Sequence, residues 1–292
     1  MNSKGKLTDY RPLITDHCYM KRLPVFLPLL LMCLLGVAPA FAQSKPETIY
    51  PFKVGEELSY EGELSKLLLR GVNVVDLRFA VRQGPAIMPD AAVAQPSFQF
   101  VADAESKGAL LKIFRQSFRQ HIESTADAAT MAALATKKND VQNKRERTSQ
   151  AVFDYRAGVV TWTEQNLRDL NAAPRVVSSP LAGTAYDLAS VWYYLRLQKT
   201  LTAGTTFSVP ISDAGRVYRI PVHVRERKTM KTLLGKVAVV RLEPEVFGSD
   251  RLIGGKGRLS VWLTDDARRI PVRGEISSDL GKLTITLKQA KL

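Results

Sequence analysis

Two adjacent carboxylates and two adjacent guanidinium groups lie close to a tryptophan near the end of the sequence. Asp265 and Asp266 precede Arg268 and Arg269, and Trp262 comes just before all four. Paired carboxylates that flank a sugar about 5 to 10 Å apart can hydrolyse a glycosidic bond. In extended backbone, however, neighbouring side chains point to opposite faces. The two aspartates therefore make a poor catalytic dyad, and an envelope glycan or ester hydrolase is the third of our functional hypotheses.

The histidines give equally little support to catalysis. After residue 42 only His121 and His223 occur, and the G-x-S-x-G motif that presents a serine nucleophile is absent from the sequence. His223 falls in an alternating segment that predicts a strand. The H-E-x-x-H pattern of zinc hydrolases is also missing. We accordingly predict no catalytic residue, no metal site and no cofactor.

One glycine-rich segment resembles a phosphate-binding loop but fails the test for one. Gly254, Gly255, Lys256 and Gly257 follow each other, yet a phosphate loop needs Ser or Thr after its lysine and a helix after that. Here Gly257 follows the lysine and an alternating, strand-like segment comes next. We interpret these residues as a flexible loop.

The N-terminal part of the sequence predicts export. From Met20, the basic residues Lys21 and Arg22 precede an apolar run over residues 23–37, and Ala40 and Ala42 fit an A-x-A cleavage site. Residues 20–42 therefore read as a secretory signal peptide, with residues 1–19 as an upstream extension. We expect a protein of the bacterial periplasm or one otherwise exported.

Two other interpretations of this segment stay open. A membrane anchor needs about 20 apolar residues, whereas this run is shorter and is broken by Pro24 and Pro28. A lipoprotein would need a small residue before Cys33, where Met32 stands. Cleavage after Ala42 leaves no transmembrane segment.

Cleavage also removes Cys18 and Cys33, the only cysteines in the sequence, and so leaves no disulfide and no thiol. The chain carries a formal net charge of +14 and stays basic without its first 42 residues. For an exported protein, this charge favours anionic envelope components such as lipid headgroups over nucleic acid.

Hydrophobic periodicity predicts a mainly β protein. Apolar and polar residues alternate with period two through most of the sequence after residue 51, as in half-buried strands. One helix is predicted around residues 187–198, because Leu188, Val191, Trp192 and Leu195 share one helical face and Asp187 is a natural N-cap. Residues 108–118 fit a helix and an irregular strand almost equally well.

The spacing of the strands, without regular β–α alternation, predicts one large antiparallel sheet. A sheet of about ten or more strands tends to curl or close. We therefore predict a flexible leader at residues 43–50 and a single β-rich domain at residues 51–292. Its fold is a curved half-barrel or barrel with one packed α-helix.

Three segments together resemble a known family. Residues 51–60 (PFKVGEELSY), 187–196 (DLASVWYYLR) and 261–272 (VWLTDDARRIPV) look like the recurring blocks of the bacterial domain-of-unknown-function family numbered 3108. The resemblance implies an exported bacterial protein and brings no established activity or catalytic residues. The last block is also similar to the hairpins of lipoprotein-carrier-like half-barrels of the bacterial envelope. Residues 127–147 do not align with a clear family pattern.

The last block itself predicts a hairpin. Val261 and Leu263 share one face of a strand and Trp262 points to the other face. We expect Asp265 to cap the turn by binding backbone amides, with a following arginine neutralising its charge.

Our leading hypothesis is a non-enzymatic envelope protein that holds a lipid-like or other hydrophobic ligand on its curved sheet, with basic rims meeting anionic headgroups. The second is an assembly or structural factor that binds other envelope proteins through exposed strand edges. If a pocket exists, we expect aromatic side chains to line it, although a role as plain core is the more common one for such residues. These candidates are Phe79, Phe98, Phe100, Trp162, Trp192 and Trp262.

Overall fold

A computed structural model of the chain describes residues 49–66, 69–86, 96–279 and 281–292. The signal peptide predicted at residues 20–42 and most of the leader predicted at residues 43–50 lie outside these ranges. Residues 87–95, between β2 and β3, also lie outside them.

Fourteen strands and two short helices make up the described structure. The strands are β1 Glu57–Lys66, β2 Leu69–Gln83, β3 Ser97–Ser106, β4 Phe118–Asp127, β5 Ala133–Gln142, β6 Arg145–Asp154, β7 Val159–Asn166, β8 Arg175–Pro180, β9 Thr206–Asp213, β10 Arg216–Thr232, β11 Gly235–Pro244, β12 Gly257–Thr264, β13 Pro271–Ser278 and β14 Gly281–Lys291. The helices are α1 Gly108–Phe114 and α2 Ser190–Arg196.

All fourteen strands belong to one antiparallel sheet, which confirms the predicted fold class. Starting from β1, the chain adds one neighbouring strand after another until it reaches the edge strand β8. It then passes through α2 to the opposite edge, β9, and returns strand by strand to β14, which pairs with β1. Each half of the sheet is a meander. Strands that pair in the sheet are therefore also consecutive in the sequence, except for the pair β1 and β14.

The sheet curves until its two ends approach each other. The segment between β8 and α2 spans the gap, because the backbone N–H of Tyr186 donates to the Pro210 carbonyl of β9 at 2.9 Å. On the other side, the N–H of Ala133 in β5 donates to the Ala185 carbonyl, also at 2.9 Å. The result is a barrel-like structure. It is not closed, because the edge strands β8 and β9 do not pair with each other.

The turn between β9 and β10 shows how tightly the ends meet. Gly215 in this turn has a φ of +75°, and a Cβ placed on it would lie 2.8 Å from the Val177 carbonyl oxygen. It would also lie 2.9 Å from the Cβ of Trp162. Only glycine fits both the positive φ and this close approach.

Helix α2 lies within the curve of the sheet. Its buried residues include Val191, Tyr193 and Leu195, and they pack against inward-facing residues of strands on both halves of the sheet, such as Phe100 and Val222. A helix that is buried on nearly every side has apolar residues around most of its circumference. The sequence had indicated a single apolar face, so the helix is more enclosed than predicted.

The ambiguous residues 108–118 divide between both predicted conformations. Gly108–Phe114 forms α1, Arg115 then adopts a left-handed conformation with a φ of 54°, and β4 begins at Phe118. The basic segment around residues 137–147 lies on the paired strands β5 and β6.

Candidate functional site

An apolar cavity of about 130 Å³ lies between α2 and the inner face of the sheet. Trp192, Tyr193 and Arg196 of α2 form one wall. The opposite wall comes from strands on both sides of the junction between the chain's two ends: Leu58, Tyr60, Leu77, Phe79, Leu259, Val261, Pro271, Arg273, Gly274, Ile276 and Ile285. Several of these side chains, including Phe79 and Ile285, are only half-buried, so the cavity is a cleft rather than a sealed void.

Cross-strand pairing explains why these residues face one another. In β12, β13 and β14 the register aligns Val261 with Gly274 and Gly274 with Ile285. Residues directly opposite each other in a sheet point to the same face. Gly274 has no side chain, and a Cβ built there would meet its nearest neighbour, Ile285, at 3.6 Å, an ordinary contact distance. The absence of this side chain contributes to the open space of the cavity.

A second apolar pocket of about 280 Å³ lies on the other side of the helix, against β9, β10 and the residues after β11. Trp192 and Leu259 line both pockets, so these two side chains form the partition between them. The inner face of the sheet thus carries an apolar groove in two parts along α2.

Arg196, which lines the cavity, forms a buried ion pair with Glu56. Arg196 donates to the Glu56 carboxylate through two nitrogens, at 2.5 Å to Oε1 and 2.9 Å to Oε2. The two side chains are 1% and 3% exposed. Arg196 also donates to the Pro51 carbonyl at 2.7 Å and to the Arg268 carbonyl at 3.0 Å. The guanidinium therefore links the N-terminal segment, α2 and the turn between β12 and β13.

These contacts join the three segments that identify the family by sequence. Glu56 comes from residues 51–60, Arg196 from residues 187–196 and Arg268 from residues 261–272. The pairs are 140 and 72 residues apart along the chain. The three segments meet at a single side chain next to the cavity.

Two tyrosines of the cavity wall differ in how their hydroxyls are used. The Tyr60 hydroxyl donates to the Pro271 carbonyl at 2.9 Å. The hydroxyl of Tyr193 is buried and finds no hydrogen-bond partner among the described residues. Its ring is held firmly, stacked on Phe100 with centroids 4.1 Å apart. Burial raises the pKa of both tyrosines well above the ordinary value, so both hydroxyls remain protonated.

The six aromatic residues predicted to line a pocket separate into three groups. Phe79 and Trp192 line the cavity, with ring centroids 6.1 Å apart. Phe98 and Phe100 belong to the core beneath α2. The remaining two do not line this cavity. Trp162 packs in a separate cluster near β7 and lines a small third pocket. Trp262 belongs to a cluster that includes Leu58 and Tyr60 of β1 but neither Val261 nor Leu263.

Trp262 points away from the inner face, as the hairpin pattern predicts. It lies beneath two cations, with Lys228 5.0 Å and Arg273 5.8 Å from its ring centroid. It is 4% exposed. Its role is packing on the far side of the strand from the cavity.

Helix α2 is shorter than the predicted 187–198 and begins at Ser190, so Asp187 lies three residues before it and binds the turn that leads into it. Its Oδ1 accepts hydrogen bonds from the backbone N–H groups of Ala189 at 3.0 Å and Ser190 at 2.8 Å. In return, the Ser190 hydroxyl accepts the backbone N–H of Asp187 at 3.0 Å. This reciprocal arrangement is a capping box, which satisfies the free donors at a helix start.

The turn after β12 differs from the prediction in which aspartate caps it. Asp266, not Asp265, accepts the backbone N–H groups of Arg268 and Arg269, at 3.0 and 3.2 Å. Asp265 instead binds the guanidinium groups of Arg269 and Arg227, at 2.5 and 2.6 Å. Burial favours the neutral form of both aspartates, but these hydrogen bonds outweigh it and lower the pKa of each. The four charged side chains of the turn, Asp265, Asp266, Arg268 and Arg269, therefore all have hydrogen-bond partners within or beside the turn.

The two histidines lie on outward-facing strand positions beside carboxylates. The His121 ring is 2.6 Å from Asp103, and a hydrogen bond to this carboxylate raises the pKa of the histidine. His223 contacts Thr206 at 2.8 Å and Glu245 at 2.6 Å. Within the described ranges, no group of three or more His, Cys, Asp or Glu side chains could hold a metal ion. Neither described helix has the length and hydropathy needed to cross a membrane.

Together, the fold and the cavity define a barrel-like antiparallel β protein with a helix enclosed by its sheet. The chain matches the model of the family described as "Protein of unknown function (DUF3108)" over residues 64–288 and belongs to that family. The match covers Arg196 and Arg268 but begins after Glu56. No curated protein gives a significant match.

One solved structure shares this fold at low sequence identity. A β-barrel-like protein of domain of unknown function DUF1849 from Brucella abortus superposes with a TM-score of 0.51 at 11% identity, covering 82% of this chain and 98% of that one. A protein of Bacteroides fragilis assigned as exported, with a YmcC-like fold, gives a TM-score of 0.30 at 9% identity, covering 83% and 98%.

Proposed function

We propose that the protein is a non-enzymatic, exported binding protein of the bacterial periplasm that holds a lipid-like ligand in the cleft beside α2. The observation that carries this proposal is the cleft itself, an apolar space of about 130 Å³ between α2 and the inner face of the sheet. An apolar cavity of about 150 Å³ can hold a molecule the size of benzene. The cavity of about 130 Å³ and its neighbour of about 280 Å³ together offer room for part of an acyl chain.

The outer face of the sheet next to the cleft carries positive charge, which supports an anionic ligand. Arg273 contributes to the cavity wall, but its guanidinium lies over the outer-facing Trp262, 5.8 Å from the ring centroid, and 2.5 Å from Glu275. Lys282 binds the same carboxylate at 2.8 Å. Two cations thus share one carboxylate, which leaves a local surplus of positive charge. The sequence is basic as well, with 42 Lys and Arg against 28 Asp and Glu. Export is supported by the signal-peptide pattern at residues 20–42.

Strand addition by a partner protein has weaker support. The edge strand β8 is six residues long, begins at Arg175 and ends at Pro180. Short edge strands that carry charge and proline discourage pairing with other chains. The β9 edge is occupied in part by Tyr186. A ligand in the cleft is therefore the function we propose.

The test uses a variant that fills the cavity. Gly274 does not adopt a positive φ, and its Cβ position is free of clashes, so Gly274→Val should fold while projecting a side chain into the cleft. The matched control is Gly254→Val, the same change at an exposed loop glycine with nothing within 4 Å of its Cβ position. The probe is lysophosphatidylglycerol, which combines one acyl chain with an anionic headgroup.

We expect native mass spectrometry of protein purified from its own envelope to show an added lipid mass. With delipidated protein, the probe should raise the melting temperature of wild type and of Gly254→Val. Gly274→Val should bind the probe at least tenfold more weakly. A clean apo mass together with no thermal shift in wild type would refute the proposal, as would equal affinity of all three proteins.

A further inference from the structure

The hairpin that joins β10 to β11 projects beyond the neighbouring strands of the sheet. β9 pairs with β10 only over residues 216–223, and β12 pairs with β11 only over residues 239–242. Among the described strands, no third strand pairs with residues 229–238, the outer part of the hairpin. A two-stranded ribbon is marginally stable at best in water, so this one depends on what its side chains pack against.

The outer part of the hairpin is anchored on one side and exposed at its tip, residues 231–236. Met230, Leu234 and Val237 pack against the buried cluster that contains Trp262. Leu233, the other residue of the turn, is 50% exposed. The packing of its neighbours therefore holds an apolar side chain out towards the surroundings.

Two lysines face each other directly across the tip. Lys231 is aligned with Lys236 in the register of β10 and β11, so both side chains point to the same face. Both are exposed, and neither has an ion-pair or hydrogen-bond partner among the residues that the structure describes. Like charges directly opposite each other destabilise a strand pair. The fold supplies no anion at the tip that would offset this repulsion.

The carboxylates on and beside the hairpin are already paired with arginines. Glu226 of the hairpin lies 2.8 Å from Arg241. The turn after β12 contacts the hairpin through the Asp265 N–H, which donates to the Ala238 carbonyl at 2.9 Å. The carboxylates of this turn, Asp265 and Asp266, both bind arginines as described above. The unpaired charges at the tip are therefore positive.

The rim of the sheet on which the tip lies also carries part of the cleft. The end of β12, the start of β13, the end of β14 and the start of β1 lie on this rim, because antiparallel neighbours run in opposite directions. Leu58, the second residue of β1, and Pro271, the first of β13, line the cleft. A second apolar residue, Val54, is 47% exposed just before β1, next to the exposed Lys53.

We propose that the tip of the β10–β11 hairpin docks the protein on a bilayer that contains anionic phospholipid, with Leu233 in the interface and Lys231 and Lys236 at the headgroups. A lysine near an anionic membrane is attracted to it, and its long apolar stem lies along the interface. This inference goes beyond the proposed function, because it concerns a surface outside the cleft and requires no ligand there.

A protein partner fits this surface less well than a bilayer does. A stable protein–protein interface buries about 800 Å² on each partner, whereas the tip offers one half-exposed leucine between charged residues. Lysines on a free strand edge also discourage pairing with a strand of another chain. A membrane interface requires no matching shape and combines apolar insertion with attraction between lysines and anionic lipid.

The test measures binding to vesicles by flotation, using protein purified from its own envelope. One set of vesicles is phosphatidylcholine alone, and the other contains one third phosphatidylglycerol. The tip variants are Leu233→Ser and the double variant Lys231→Gln with Lys236→Gln. The melting temperature of both should match that of wild type, because the changed side chains are exposed and the double variant removes a repulsion.

Matched controls make the same changes at exposed residues on the opposite rim of the sheet. They are Leu170→Ser, in the segment after β7, and the double variant Lys112→Gln with Lys144→Gln, in α1 and in the turn after β5. The strands β3, β5 and β7, which precede these residues, all run away from the rim on which the tip lies. Each control has the same net charge as the tip variant it matches.

We expect wild type to bind the phosphatidylglycerol vesicles at least tenfold more tightly than phosphatidylcholine alone, with weaker binding at high salt. The double tip variant should bind about 25-fold more weakly, at about fivefold for each lysine. Leu233→Ser should bind about fivefold more weakly, because half of its side chain is lost from the interface. The controls should bind as wild type does.

The inference is overturned if the tip variants bind vesicles as wild type does, if phosphatidylglycerol makes no difference to wild type, or if the controls lose as much binding as the tip variants. It is also overturned if a photo-crosslinker at position 233 yields adducts with an envelope protein and none with lipid.

Failure of this inference is distinguishable from failure of the proposed function. The tip variants should bind monomeric lysophosphatidylglycerol as wild type does, because their substitutions lie outside the cleft. If vesicle binding fails while the lysolipid binds, this inference falls and the proposed function stands. If the lysolipid fails to bind while vesicle binding depends on the tip, the proposed function falls and this inference stands.

Discussion

Removing the charge of Glu56 should be among the most damaging single substitutions in the protein. In Glu56→Gln the Arg196 guanidinium keeps its charge but loses the charge that balances it, and one of its two acceptors becomes an NH2 donor, at a site where the two side chains are 1% and 3% exposed. Leaving one charge of a buried pair uncompensated costs about 3–5 kcal/mol. A domain is stable by only about 5–15 kcal/mol, so the variant should lose a large fraction of its stability.

The adjacent residue supplies the control. Glu57 also pairs with an arginine, Arg78, at 2.9 Å, but both side chains are about 40% exposed. An exposed pair contributes about 0.2–1 kcal/mol, so Glu57→Gln should be nearly neutral. Urea unfolding followed by tryptophan fluorescence measures both variants, with the free energy of unfolding extrapolated to water.

A double variant separates the loss of a contact from the exposure of an unpaired charge. Glu56→Leu combined with Arg196→Met removes both charges, so it should cost less than the sum of the two single changes. It will not restore wild-type stability, because the carbonyls of Pro51 and Arg268 lose their donor. If Glu56→Gln costs less than about 1 kcal/mol, or the double variant costs the full sum, the buried pair does not hold the three segments together as argued.

Three further predictions concern groups outside the cavity. The pKa of His121, raised by its hydrogen bond to Asp103, should exceed 6.5 in an NMR titration. Protonated His121 therefore stabilises the folded protein slightly. This stabilisation is complete below the pKa of the histidine in the unfolded chain and is lost as the pH rises through its pKa in the folded protein. The variant His121→Gln should abolish this pH dependence. Asp266→Ala should lower the free energy of unfolding by about 1–2 kcal/mol through loss of the turn cap, measured in urea, and a neutral result would contradict that role. Spectrophotometric titration should give Tyr155 a pKa of about 12, caused by burial, and an ordinary value near 10 would show that its ring is solvated.

The strands were predictable because the alternation of apolar and polar residues that marks a strand involves only residues close together in the sequence. β2 is an example, since Leu77, Phe79 and Val81 alternate with polar residues and lie on one face of the observed strand. The presence of the helix was predictable for the same reason, because its apolar residues recur within a few positions, although it begins at Ser190 rather than at residue 187. Both features depend on contacts within a few residues.

The cavity was only partly predictable. Phe79 and Trp192 were candidates because they are aromatic, and both line it. Gly274 and Ile285 could not be recognised, because period two shows which face a residue occupies but not whether the space in front of it is filled. Tyr193 escaped attention because its neighbours on α2 gave it an ordinary core position, and its free hydroxyl is visible only once the packing is known.

The contacts of Arg196 show that the charged residues of a recurring sequence block need not be the residues that line the cleft. Read alone, the third block suggested chemistry in its aspartates and arginines, yet the only atom of that block which the buried guanidinium uses is a backbone carbonyl, that of Arg268. The charges of the turn serve the turn itself. What the three blocks build together is a set of contacts that positions α2. Trp192 and Tyr193 of the same helix line the cleft, whereas the charged side chains of the turn after β12 do not.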